Sequence, residues 1–199
     1  LAAWAKAEGH AFKHVSGRVS GYVVETTRGW RVEWGDSQRR VYIPGKELRF
    51  RSETSMPHDV QVVMLTRALA QTLETDVFSR FTNDMQTQID NSLPDEMRWL
   101  AMHPKVSLSA AALLAKRFVL LANAETVAQT WLDGGMVRAL EDAATTWWTD
   151  SLLLVMTVNR GMLTLRMPGQ PLEPGQLHMV GQLFSVIARR MREVAQAGA

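Results

Sequence analysis

The feature that most constrains the fold is a stretch of period two. From Arg18 to Glu53 apolar side chains recur at alternate positions: Val19, Gly21 and Val23, then Trp30, Val32 and Trp34, then Val41 and Ile43, then Leu48 and Phe50. Successive residues of a strand point to opposite faces, so this spacing suits strands and not a helix. Turn-forming residues separate the runs at Thr27-Arg28-Gly29, Gly35-Asp36-Ser37 and Pro44-Gly45. An antiparallel meander of three or four strands is expected.

The same period governs the basic residues crowded between Trp30 and Glu53. Trp30, Val32 and Trp34 share one face and Arg31 and Glu33 the other; Leu48 and Phe50 oppose Glu47, Arg49 and Arg51. Rings and guanidinium groups adjacent in sequence are thus separated in space. A nucleic-acid strand could not stack on the rings while the arginines of the same surface held its phosphates. The favoured reading is a solvated sheet face on which Glu33 and Glu47 pair with arginines. Arg39, Arg40, Arg49 and Arg51 are the candidates for the competing reading, a phosphate, nucleic-acid or cyclic-dinucleotide surface. Arg39-Arg40 resembles the arginine-rich opening of PilZ domains, which bind cyclic di-GMP. The second arginine of that R-x-x-x-R pattern falls here on Ile43 or Pro44, and no D/N-x-S-x-x-G follows, so the function is not carried over.

Downstream, Pro57 suits a first helical turn capped by Thr54 or Ser55. Leu65, Leu69, Leu73, Val77 and Phe81 step by four, which predicts a long helix from Asp59 to Met85. A second helix is expected from Ser92, with Ser92-x-x-Asp95 as a capping box, to His103-Pro104. Ser107 to Ala115 fits strand or helix, and Arg117 to Leu121 a buried strand. Helices follow over 123–131, closed by Gly134-Gly135, and over 136–148. Strands 152–158 and 162–167 join through Asn159-Arg160-Gly161, a hairpin connection. A Pro/Gly-rich linker, 168–175, leads to a last helix over 176–195 with basic residues Arg189, Arg190 and Arg192 near its negative end. Before the meander, Ala3, Trp4, Ala7 and Ala11 suggest a short helix over 2–15. The class is α+β: an N-terminal antiparallel β-meander packed on a long helix, then helices, a C-terminal hairpin and a terminal helix. A single domain over 1–199 is expected, with sub-lobes 1–56 and 57–199.

At 199 residues and 46% hydrophobic the chain can bury a core unaided, and a net charge of +2 exerts no strong pull on polyanions. Residues 1–56 hold ten Lys/Arg against six Asp/Glu, so the positive excess lies there. Nucleic acid is nonetheless disfavoured as a partner. The absence of cysteine excludes disulfides, thiolate metal sites and a Cys nucleophile. No apolar run reaches the roughly 20 residues of a membrane span. The compartment is left open, with the cytoplasm favoured. The first residue is Leu, which is compatible with a targeting or membrane segment upstream.

Chemical motifs fail on inspection. Gly35-Asp36-Ser37 resembles the first block of GDSL hydrolases, but their late Asp-x-x-His is missing: His178 has Gly175 in the Asp position. His10 and His14 have zincin spacing, but Ala11 stands where the general-base Glu belongs. Asp95-Glu96 and Glu141-Asp142 are helix neighbours about 100° apart and do not converge. No cofactor and no metal is implied. Trp147-Trp148 cannot both face inward on one helix, so both are candidates for a protein or homo-oligomer interface. The residues point away from an enzyme and toward a non-catalytic protein–protein interaction or assembly domain of bacterial type. Phosphate or nucleotide binding is the alternative, and a hydrolase of unrecognised type the third reading.

Overall fold

The computed structural model describes residues 1–16, 21–37, 40, 42–83, 93–169 and 173–198, with the backbone alone for 80–83. The fold is α+β. Eight antiparallel strands form one sheet: β1 (Ala11–Val15), β2 (Gly21–Glu25), β3 (Arg31–Asp36), β4 (Lys46–Glu53), β5 (Val62–Thr66), β6 (Phe118–Ala122), β7 (Val155–Asn159) and β8 (Met162–Pro168), in the order β1-β2-β3-β4-β8-β7-β5-β6. The meander β1–β4 is joined to the rest by the C-terminal hairpin. Its strand β8 pairs with β4 from Glu47↔Pro168 to Glu53↔Met162, and β7 pairs with β5. The hairpin turn follows its residues: Arg160 and Gly161 both have positive φ, the demand of a tight two-residue turn, and Asn159↔Met162 closes the register.

Helices cover both faces. One face carries Val32, Phe50, Leu165, Met156 and Leu120 beneath α1 (Ala2–Ala7), α5 (Glu125–Trp131), α6 (Gly134–Thr146) and the long C-terminal α7 (Pro174–Ala197). The other face carries Val63, Leu65, Val119, Leu121 and Val155 beneath α2 (Arg67–Asn83) and α3 (Asp95–Met102). A short α4 (Ala112–Arg117) precedes β6. The helix on the meander is α7: Phe184 meets Trp30 at 5.4 Å and Phe50 at 5.8 Å between ring centroids. Gly181 makes that packing possible, since a Cβ there would lie 3.2 Å from the Trp30 ring.

Several expectations are corrected. The first helix stops at Ala7, because Gly9 takes φ +68° and turns the chain into β1. Val62–Thr66 is a strand, buried at all five positions, and not the start of a helix. A strand covered on both sides shows no alternation, so its apolar run merged with the helical stripe that follows. Helix α2 begins at Arg67, where the Thr66 hydroxyl accepts from the Leu69 N–H at 3.3 Å. Met85 and Ser92 lie outside the described residues, and α3 starts at Asp95 after Pro94. Ser107–Ala115 resolves mainly into loop and the start of α4, and Arg117 ends that helix. Gly134-Gly135 opens α6 behind the Asp133 cap, whose carboxylate accepts from Met136 N–H at 2.8 Å. Helix α7 starts at Pro174, inside the expected linker, and two of its arginines are tertiary ties: Arg190 reaches Asp133 at 3.1 Å and Arg192 donates to Ser52 at 2.8 Å. In β2 the phase is shifted by one. Val24 faces the core and Val23 the far side, since Tyr22-Val23-Val24 supports either phase. Ile43 is buried in a turn, its N–H donating to Arg40 C=O at 2.9 Å; Val41 lies outside the described residues.

Candidate functional site

Two surfaces grow from the period-two alternation of the meander. The first is the polar side of β3, β4 and β8. Register places Glu33 opposite Arg49 and Arg49 opposite Arg166, with Arg31↔Arg51 and Arg51↔Thr164 in the next row. Two arginines directly opposed would repel. Glu47, wholly buried, resolves this by accepting from Arg49 Nη1 at 2.8 Å and Arg166 Nη1 at 3.1 Å. Glu33 is shared among Arg31 at 2.8 Å, Arg49 at 3.1 Å and Arg51 at 3.1 Å. From the loop before β4, Arg40 grips Glu96 of α3 in two-pronged fashion, at 2.7 and 3.2 Å, and Tyr42 OH donates to the same carboxylate. Glu96 is 1% exposed.

This face is therefore not the solvated one that the sequence suggested. Arg40, Tyr42 and α3 close over it, leaving Arg40, Arg49 and Arg166 only 12–13% exposed. Burial raises the Glu33 carboxyl, but Arg51, Arg49 and Arg31 outweigh it and hold the group below the usual carboxylate range. Burial and then Glu96 push the Tyr42 phenol well up. For Arg166, burial followed by repulsion from Arg40 lowers the pKa, although Glu47 and Glu96 oppose this. The three anion candidates in the described residues, Arg40, Arg49 and Arg51, thus belong to one network; Arg39 lies outside those residues. The sequence missed Arg166, Glu96 and Tyr42. Arg166 was within reach, because Leu163, Leu165 and Met167 alternate with Thr164 and Arg166 as the residues of β4 do.

The second surface is the apolar side of the same strands toward β1. Past the shelter of α1 and α7, the rings run from strand to strand: Phe12 stacks on Tyr22 at 5.3 Å and 22°, and Tyr22 meets both His14 and Trp34 at 5.3 Å. Lys46 Nζ stands 5.4 Å over the Trp34 ring. Phe12 is 39% and Tyr22 36% exposed, and Val15, 45% exposed, lies on the other face with Lys13. Among the described residues, strand β1 pairs only with β2, and all five of its residues are exposed. Gly21 shapes this end: a Cβ there would fall 2.5 Å from the Trp34 carbonyl oxygen.

Trp148 is fully buried, 4.6 Å from Phe118, and Trp147 is half-buried, stacked on Trp148 at 6.2 Å. The expected helix over 136–148 ends at Thr146, so both rings lie past its last turn; Trp148 points in and offers no surface to a partner. Ser37 and His178 line separate cavities, and His178 Nδ1 meets Glu8 at 2.7 Å while its Nε2 meets Gln182. His10 packs on Trp4 at 5.2 Å, whereas His14 belongs to β1, so one helix turn does not carry both. Among the described residues no three His, Asp or Glu side chains are placed to hold a metal ion, and no helix is long and apolar enough to cross a membrane.

No protein-family model matches the chain, and no curated protein does. Among solved structures, the fold is similar to that of the mycobacterial trehalose monomycolate transport factor A, with 14% identity and a TM-score of 0.48, over 96% of this chain and 90% of that one. This likeness carries no argument about function.

Proposed function

We propose that the chain is a non-catalytic assembly domain that binds a protein partner along β1. The observation that carries this reading is an edge strand whose free side adjoins a ladder of partly exposed rings. An unpaired edge is a template for another strand, and natural edges of this kind are covered, charged or used. The guard on β1 is a single charge, Lys13, at its centre. Antiparallel self-pairing centred on the strand would set Lys13 against Lys13, which disfavours a second copy as the occupant. An extended segment with an acidic residue facing Lys13 and apolar residues facing Phe12 and His14 fits both rows.

The test is a titration of the protein with an extended pentapeptide alternating apolar and acidic residues, followed by backbone amide NMR. Shifts should concentrate on β1 and β2, vanish in Lys13→Glu, and return when the peptide's acid is replaced by lysine. Shifts that are absent from β1, or indifferent to the charge exchange, would overturn the reading. Self-association through β1, broken by Phe12→Asp, would replace the partner with a second copy.

A further inference from the structure

Between β7, β8, α3 and Arg40 lies a polar cavity of about 140 Å³. Arg40, Arg51 and Arg166 contribute to its wall, with the hydroxyl residues Thr157 and Thr164 between them. Both threonines are more than nine-tenths buried, at 7% and 5% exposure, and neither hydroxyl has a hydrogen bond among the described residues. Their oxygens open into the cavity, so two hydroxyls stand ready to bond a guest that carries oxygen atoms.

The two acids of the wall are already occupied. Asp95 receives Arg98 on one oxygen and Asn159 Nδ2 on the other at 2.9 Å, while Glu96 is taken by Arg40 and Tyr42. Arg31, Arg49, Arg51 and Arg166 share Glu33 and Glu47, four positive against two negative. The Nε–H of Arg166 is buried without a hydrogen-bond partner. A cationic excess in a low-dielectric setting favours an anion, and guanidinium forks match its geometry.

We propose that this cavity binds a single tetrahedral oxyanion, a phosphate group, between Arg51, Arg166, Thr157 and Thr164. The volume sets the size class: a cavity of roughly 150 Å³ holds one benzene, and binding clefts for drug-sized ligands begin near about 300 Å³. A nucleotide or cyclic dinucleotide is too large to enter whole.

Calorimetric titration with inorganic phosphate, at constant ionic strength with chloride as the reference anion, tests the site; methyl phosphate in a parallel arm separates free phosphate from a phosphate ester. Arg51→Gln keeps the more deeply buried Arg166–Glu47 pair, and Thr164→Val removes one hydroxyl at almost unchanged volume. Phosphate should bind the parent chain, at least tenfold more weakly in Arg51→Gln and severalfold more weakly in Thr164→Val, with the melting transition in chloride retained for Thr164→Val. Absence of phosphate-specific heat in the parent, or equal affinity in both variants, would overturn the proposal.

Discussion

The polar and the aromatic sides of the meander come from one alternating sequence, yet they end in opposite relations to water. On β3, β4 and β8 the charged side is enclosed: Glu47 has no exposure, and Arg49 and Arg166 are 13% exposed. On β1 and β2 the apolar side is open, with Phe12 and Tyr22 more than a third exposed. Alternation settles which residues share a face; what covers that face is decided by segments far away in sequence. Here α3, Arg40 and Tyr42 cover the charges, and α7 and α1 leave the rings of β1 and β2 uncovered. Buried ion pairs are poor sources of net stability but severe liabilities when halved, whereas exposed rings contribute little to stability and are available for contact.

The sharpest break in this comparison is Glu47→Gln. It leaves Arg49 and Arg166 opposed and undercompensated in the interior, and urea unfolding should show a loss of about 3–5 kcal/mol. A loss below about 1 kcal/mol would show the face to be wet. Tyr42→Phe removes the hydroxyl that donates to Glu96. It should cost about 1–3 kcal/mol, because a buried carboxylate loses a donor, and the same unfolding series measures it.

Acid should act through Glu33, whose folded pKa lies below its ordinary value of 4.5. Its contribution is fully present above the unfolded value and is lost as pH falls through the lowered folded value. Stability should therefore decline below about pH 4.5, and Glu33→Gln should flatten that part of the profile. The smallest effect is expected at the open side. Phe12→Ser should change stability by no more than about 0.5 kcal/mol, as surface substitutions do, while abolishing peptide binding at β1. A large destabilisation would mean that the ring is part of the core.

How far the fold was legible follows the same division. The hairpin β7–β8 could be read because Arg160-Gly161 meets a local demand, positive φ at both turn positions. The inward rows of β3 and β4 could be read from alternation. Strand β5 could not, since a run buried on both faces has no period, and Leu65 also fits the stripe of α2. Arg40–Glu96 and Arg166–Glu47 join residues 56 and 119 positions apart. No local pattern carries such pairings; only the placement of β8 beside β4 and of α3 beside Arg40 creates them. The tryptophan pair was not legible from a helical period, since α6 ends at Thr146 before both, and it is the packing against Phe118 that buries Trp148.

The most direct test of the enclosed charges is the exchange of arginine side-chain Nε–H protons with water, followed by NMR. Arg49 and Arg166 should exchange far more slowly than Arg189, which is 70% exposed. Exchange of Arg49 and Arg166 at the rate of Arg189 would contradict the account.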